Sequence, residues 1–334
     1  MNDWIKRYQK NKNFLEENYL YRTKDEHDSC GVGFVTSIDG SQKREVVEGG
    51  INALKAVWHR GAVDADGKTG DGAGILTQIP NNFFEEEIAK TGHQKRDDPL
   101  GIGMMFLPRN DYSALEKCRT IIESELLDHG YYIYGWRQVP INSSVIGEKA
   151  SATRPEIEQV MFVNNVDREK NFDFSKELYL IRRRLEKRIQ KQQISDFYVC
   201  SVSFDSVIYK GLFLAEQLSI FYPDLANKNF ISSYALFHQR YSTNTFPTWG
   251  LAQPFRMLAH NGEINTISGN TNWMRNHQTR ITSEIFGEDS EQVKPIIEKN
   301  VSDSAALDAA FELYVRAGRS VPLVKTLLMP EAWS

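Results

Sequence analysis

Cys30 is the residue whose position most constrains the chemistry open to this chain. It stands where a polar leader, residues 1–29, meets the first apolar run, Cys30-Gly31-Val32-Gly33-Phe34-Val35-Thr36-Ser37-Ile38. A thiol there can serve as a small buried hydrophobe in a strand. It can also serve as a nucleophile. With the leader removed, Cys30 would carry a free α-amine, whose pKa of about 7.7–8 lies below the ~8.5 of a thiol. That amine is a base near neutrality, held within the same residue as the sulfur it would deprotonate. While the leader is attached the nitrogen is an amide without basicity, so cleavage at Ser29–Cys30 would switch the activity on.

Other stretches offer complementary groups. In Phe237-His238-Gln239-Arg240-Tyr241-Ser242-Thr243-Asn244-Thr245-Phe246-Pro247 a strand pattern runs into a cluster of donors. Arg240 presents a planar fork suited to a carboxylate, or equally to a structural ion pair. In His260-Asn261-Gly262-Glu263-Ile264-Asn265 the Asn-Gly pair is a turn signal. It also holds a side-chain amide beside an unhindered backbone N–H, which is what an oxyanion hole requires. In Ser302-Asp303-Ser304, Ser302 or Asp303 caps a following helix; the Asp303 carboxylate could also receive an ammonium group. His59-Arg60-Gly61 reads as a helix C-terminus with favourable cations and a stopping glycine.

The glycine-dense stretch at residues 61–74 excludes several chemistries. A P-loop places four residues between its glycines and follows a strand; here Gly61 and Gly67 are separated by five, after a helix. Gly70, Gly72 and Gly74 give G-x-G-x-G, not the dinucleotide fingerprint. Lys68 stands where a calcium loop would continue the ligands begun by Asp64 and Asp66. The expected role is backbone packed closely against a reacting group.

The elements that must position these groups are legible as periodicities. The chain has 334 residues, 41% hydrophobic and 25% charged, which are globular values with enough apolar material for a core. A net charge of −4 gives no reason to expect nucleic acid or a membrane as partner, and no apolar run is long enough for a membrane helix. Cys30, Cys118 and Cys200 lack C-x-x-C spacing, which argues against disulfides and cysteine-held metals and fits a reducing, cytoplasmic setting. Residues 1–29 have no apolar stretch of the secretory kind and are too acidic for a transit peptide. Strands are expected over 30–38, 75–79, 101–107, 131–139, 160–164, 197–204, 207–209, 230–237 and 257–260. Helices are expected over 47–59, 115–126, 174–193, 264–276, 303–317 and 321–329. Arg182-Arg183-Arg184 is expected on a solvated helix face, and 141–156 as a linker or a long surface loop. Many strands, several helices and no βαβ repeat predict an α+β layered fold.

Taken together, these stretches resemble the glutaminase domain at the N-terminus of glutamate synthase large chains. The resemblance runs from Asp25 onward. It is carried by Asp25-Glu26-His27-Asp28-Ser29-Cys30-Gly31-Val32-Gly33-Phe34, His59-Arg60-Gly61, Thr69-Gly70-Asp71-Gly72-Ala73-Gly74-Ile75, the stretches around Arg240 and Asn261, Ser302-Asp303-Ser304 and Pro330-Glu331-Ala332-Trp333. The wider relatives are class II glutamine amidotransferases, of the N-terminal nucleophile hydrolases. The resemblance implies a four-layer αββα sandwich. It implies a propeptide, residues 1–29, removed autocatalytically, and a glutaminase domain over 30–334 that stops short of its usual end. It assigns Cys30 as nucleophile on the glutamine side-chain amide, with Asn261 and the Gly262 N–H as oxyanion hole. Arg240 would bind the substrate α-carboxylate and Asp303 its α-ammonium; Thr243 would line the pocket, and Arg60 would lie near the nucleophile. In the intact family protein the ammonia passes to 2-oxoglutarate, and FMN and an iron–sulfur cluster reduce the imine to glutamate. Electrons come through a small nicotinamide-oxidising subunit or from ferredoxin. No cofactor is expected in this chain itself. A class II amidotransferase of another pathway, or a non-catalytic module, are the alternatives.

Overall fold

The computed structural model describes residues 2–19, 21–22, 30–240, 245–262, 264–281, 284–299 and 301–329. By its contacts the chain divides into Met1–Cys30 and Gly31–Ser334. The first unit carries helix α1 (Asn2–Asn18). Its residues 6–19 are almost all exposed.

In the second unit the elements run β1 (Val32–Thr36), α2 (Arg44–Ala56), β2 (Ala73–Gln78), α3 (Asn81–Lys90), β3 (Leu100–Leu107), α4 (Tyr112–Asp128), β4 (Tyr131–Gln138) and α5 (Glu148–Ala152). They continue with β5 (Glu156–Asn164), α6 (Phe174–Lys191), β6 (Tyr198–Ser203), β7 (Ser206–Gly211), α7 (Leu218–Phe221), β8 (Tyr234–Gln239), α8 (Ile267–Gln278), α9 (Asp303–Arg316) and α10 (Val321–Leu328). The strands form two antiparallel sheets, β1-β8-β2-β7 and β4-β5-β3-β6. This is an α+β sandwich, as expected.

Alternation along the strands explains the layering. Ile75, Tyr209 and Phe237 share one face of the first sheet, and Ile102, Met104 and Phe106 one face of the second; all six enter one buried core. The Tyr209 hydroxyl accepts from Gln159 Nε2 of the second sheet at 3.0 Å, tying the sheets together inside that core. Helix α2 packs on β1 and β8 through Val46, Val47, Ile51 and Leu54. On its other face the second sheet sends Met105, Leu107, Val160 and Phe162 against α4 and α6, which contribute Leu115, Ile122, Leu178, Ile181 and Leu185. Asp111, Asp173 and Ser302 cap α4, α6 and α9 through their side chains.

Two expectations need correction. Residues 257–260 form an extended loop, not a strand, because their backbone is held by a carboxylate from α9. Arg182 and Arg183 are buried, not solvated: Arg182 pairs with Glu186 and Glu312, each at 2.7 Å, and Arg183 with Glu186 at 2.9 Å. Three consecutive helical positions sweep about 200°, so a run of three arginines cannot stay on one narrow face. Gly61 follows the short helical turn Trp58–Arg60 as its cap, as expected, with an extended backbone of φ −96°. Of the two readings of 141–156, the surface loop within one domain holds, since this stretch joins β4 to its sheet neighbour β5.

Candidate active site

Strand register brings the sequence blocks together. Val32 faces His238 across β1 and β8, and Gln239 faces Ala73 across β8 and β2. The start of β1, the end of β8 and the start of β2 therefore meet at one end of the first sheet. Gln239 N donates to Gly31 O at 2.6 Å and Arg240 N to Gly72 O at 2.8 Å. Gly31 has no room for a side chain, because a Cβ would collide with Gln239 O and the Asn261 amide. Gly61 is required for the same kind of reason: a Cβ there would strike the Gln239 amide. Gly72 has φ +143°, a conformation that glycine reaches without strain. The glycine-rich loop thus packs its backbone against the strand end that carries Arg240. Asp71 closes that loop by accepting from Ala62 N at 3.0 Å, and Asp66 braces it by accepting from Lys68 N and Thr69 N at 3.0 and 2.7 Å.

A second loop delivers Asn261 and Gly262. Gln253 and His260 exchange two hydrogen bonds: His260 N donates to Gln253 Oε1 at 3.0 Å and Gln253 Nε2 to His260 O at 3.1 Å. Asp308 of α9, 1% exposed, accepts from Met257 N and Leu258 N at 2.8 and 3.2 Å. His238, fully buried in β8, places Nε2 3.0 Å from His260 O and against the Asn261 amide. That amide also faces Gly31 N, 2.5 Å away. Gly262 follows, exposed and uncrowded.

Arg240 is 8% exposed. It donates to Leu251 O at 3.3 Å and Thr245 Oγ1 at 2.6 Å. Burial pulls its guanidinium below the usual value, opposed by the carboxylates of Asp71 and Asp303. Asp303 opens α9; its Oδ1 accepts from Ser304 N at 2.7 Å, while Ser302 is the cap. Burial holds His238 at about 4, and lowers His260 against the pull of Asp303. Both imidazoles are therefore neutral near pH 7.

Within Gly31–Ser334, Arg240, Asn261, Gly262 and Asp303 thus belong to elements that meet or act on one another at this sheet end. Arg60 is exposed beside Gly61, and Cys30, exposed, precedes Gly31 by one peptide bond. Thr243 and residues 330–333 lie outside the described residues, as do Asp25-Glu26-His27-Asp28-Ser29. The sequence reading did not single out His238, Gln253 and Asp308. A histidine at the end of a strand pattern, two residues before Arg240, was the available signal for the first.

No cluster of three metal-ligating side chains occurs among the described residues. Cys118 and Cys200 do not fit an iron–sulfur centre: they lie in different core clusters, with burial raising their thiols to about 11 and about 12. A cavity of about 1020 Å³ lies elsewhere, among β3, α6, the 247–256 loop and α9; Arg240, Asn261 and Asp303 do not line it.

The family described as "Glutamine amidotransferases class-II" matches residues 30–334. The chain is 59% identical over 312 residues to a glutamate synthase (NADPH) large chain of Azospirillum brasilense, covering 93% of this chain and 20% of that one. It is 41% identical over 315 residues to the protein of the same name from Bacillus subtilis, covering 94% and 20%. It is 39% identical over 319 residues to a ferredoxin-dependent glutamate synthase of Pyropia yezoensis, again covering 94% and 20%. The chain spans about a fifth of the length of these curated relatives.

Proposed function

This chain belongs to the class II glutamine amidotransferases, and from that membership we propose that it hydrolyses glutamine with Cys30 as nucleophile, once residues 1–29 have been removed. The α-amine of Cys30 takes the thiol proton, and the thiolate attacks the glutamine side-chain carbonyl. Asn261 Nδ2 and the Gly262 N–H receive the developing O⁻. The tetrahedral intermediate collapses; the amide nitrogen leaves as ammonia with the proton held on the amine. Water then cleaves the γ-glutamyl thioester, returning thiol and glutamate. Arg240 binds the α-carboxylate and Asp303 the α-ammonium, with Thr243 lining the pocket and Arg60 nearby. The match of the family from Cys30 onward supports the mature start at that residue.

The observation that carries the proposal is the register itself. It brings Gly31, the neighbour of Cys30, against Asn261 and against the strand end leading to Arg240. For the longer protein we propose glutamate synthesis from 2-oxoglutarate with the released ammonia. FMN, an iron–sulfur cluster and the electron donor, a nicotinamide-oxidising subunit or ferredoxin, would then be served by sequence outside this chain, in the cytoplasm. The relatives' names carry NADPH in two cases and ferredoxin in the third. The test is acid quenching of the complete gene product during turnover with labelled glutamine. A γ-glutamyl adduct on the peptide beginning at Cys30 supports the mechanism; steady ammonia release with no such adduct overturns it.

A further inference from the structure

Asp308 of α9 is a buried carboxylate that the mechanism above leaves without a task. Its Oδ1 accepts from two backbone amides, Met257 N at 2.8 Å and Leu258 N at 3.2 Å. Its Oδ2 has no hydrogen-bond partner among the described residues and lies 3.9 Å from Arg256 Nη2. The two amides belong to the loop that ends in Asn261 and Gly262. Phe255 N closes a turn there by donating to Leu258 O at 3.0 Å, and the paired hydrogen bonds of Gln253 and His260 tie the ends of the loop together. The loop is thus fastened within itself, and an outside anchor must set its place at the sheet end.

Helix α9 reaches the loop in two ways. Glu312 meets the Arg256 side chain at 3.3 Å, through several rotatable bonds. Asp308 holds the backbone itself, through a short side chain with little freedom to lose. The second fastening fixes backbone position more closely. The same helix opens with Asp303, whose charge is felt at Arg240 and His260. The five steps from Asp303 to Asp308 span about 7.5 Å of a stiff rod. One helix therefore carries the carboxylate read as receptor for the substrate ammonium and the anchor of the turn that meets the oxyanion. Both ends of a single glutamine side chain and head group are referred to the same element.

Resting on the glutaminase reading, we propose that Asp308 is the positioning residue of the oxyanion turn, holding the 257–258 backbone so that Asn261 and Gly262 keep a fixed place relative to Asp303. It touches no reacting atom; it sets where the groups that do are found.

Three variants separate geometry from charge. Asp308→Asn keeps an oxygen for both amides and loses the charge beside Arg256. Asp308→Glu keeps the charge and moves the acceptor by one methylene. Asp308→Leu keeps neither. In the complete gene product, Asp308→Glu and Asp308→Leu are expected to lower kcat for glutamine hydrolysis about tenfold or more per folded molecule, with KM within about twofold, while Asp308→Asn retains most of kcat. On an Asn261→Ala background, Asp308→Glu should cost distinctly less in kcat than it does alone. Amide hydrogen exchange in the peptide spanning 257–262 should quicken in Asp308→Glu and Asp308→Leu and stay near the unaltered rate in Asp308→Asn. A carboxylate that served only to balance charge would give the reverse order, with Asp308→Asn the most impaired and Asp308→Glu the least. That order, or full additivity with Asn261→Ala, would overturn the proposal. Should Asp308→Leu fail to fold, the other two variants decide it. Absence of ammonia release from the unaltered protein would instead defeat the glutaminase reading, and the exchange rates would still decide whether Asp308 holds the turn.

Discussion

At the end of the first sheet, three buried polar atoms have no hydrogen-bond partner among the described residues: His238 Nδ1, Gln239 Oε1 and His260 Nε2. Between α6 and α9 the buried polar groups are charged, and Arg182, Arg183 and Arg256 have carboxylates, although Asp308 Oδ2 and Arg316 Nε have no hydrogen-bond partner among the described residues. Arg182 meets Glu186 and Glu312, Arg183 meets Glu186 and Glu298, and Arg256 meets Glu312 at 3.3 Å. The arginines of the second cluster, Arg182 and Arg183, hold the half-buried Glu186 down at about 2. The first keeps neutral rings and amides around a single buried arginine. A cluster closed on itself positions helices; a cluster with spare hydrogen-bonding capacity can receive a ligand. Asp308 joins the two, since it sits on α9 beside Arg256 and Glu312 and holds the loop that leads to Asn261.

Four alterations separate the two regions, beginning with the most severe. Cys30→Ala should abolish glutamine hydrolysis, read as ammonia release, without moving the urea midpoint of the mature protein. Measurable hydrolysis by a clean preparation would remove Cys30 from its role. Arg182→Met should act in the opposite way: it leaves Glu312 with Arg256 alone and Glu186 with Arg183 alone, and should cost up to about 3–5 kcal/mol of stability in urea titrations. Its kcat per folded molecule should stay near the unaltered value; a large kcat loss at full folding would mean that the paired cluster serves the chemistry directly.

Asn261→Ala should reduce kcat by an amount equivalent to about 2.7–4 kcal/mol, with a smaller effect on KM. A variant that lost only glutamine affinity would make Asn261 a binding residue. The fourth prediction is the pH response of His238. Its folded value, about 4, lies below the ordinary 6.5, so between those values the unfolded chain binds the proton and the folded chain does not. Stability from this group is complete above pH 6.5, falls as the pH drops, and is gone below about 4. The gap corresponds to a loss of about 3 kcal/mol. Urea midpoints of the unaltered protein and His238→Gln, compared at pH 7 and pH 4.5, should differ in their acid dependence by a large part of that amount. Parallel behaviour would mean that His238 is not held neutral by burial.

Much of this was legible in the order of residues, and the failures have physical causes. Period-two alternation and glycine punctuation mark strands where one face is buried, as in β1 and β2, while β3, buried on both faces, shows as a continuous apolar run. The glycines at 31 and 61 announce close approach, because a Cβ there would collide with Gln239 and, at 31, with Asn261, and Gly72 holds a φ that side-chain-bearing residues rarely adopt. Residues 257–260 misled because an apolar run looks like a strand whether its backbone partner is another strand or a carboxylate; the partner, Asp308, lies about fifty positions away. Arg182 and Arg183 misled because their partners Glu298 and Glu312 are more distant still, and charge alone says nothing about pairing. His238 gave no signal of its own within the donor cluster, because a ring nitrogen without a partner appears only in the packed structure.

The claim on which the mechanism turns is that Cys30 supplies its own base once the leader is gone. Intact-mass analysis of the active complete gene product, set beside its rate of ammonia release from glutamine, tests it most directly. The account predicts that active molecules begin at Cys30, and that molecules retaining residues 1–29 are inert. Full activity in a preparation that still carries the leader would contradict it, and some other group would have to take the thiol proton.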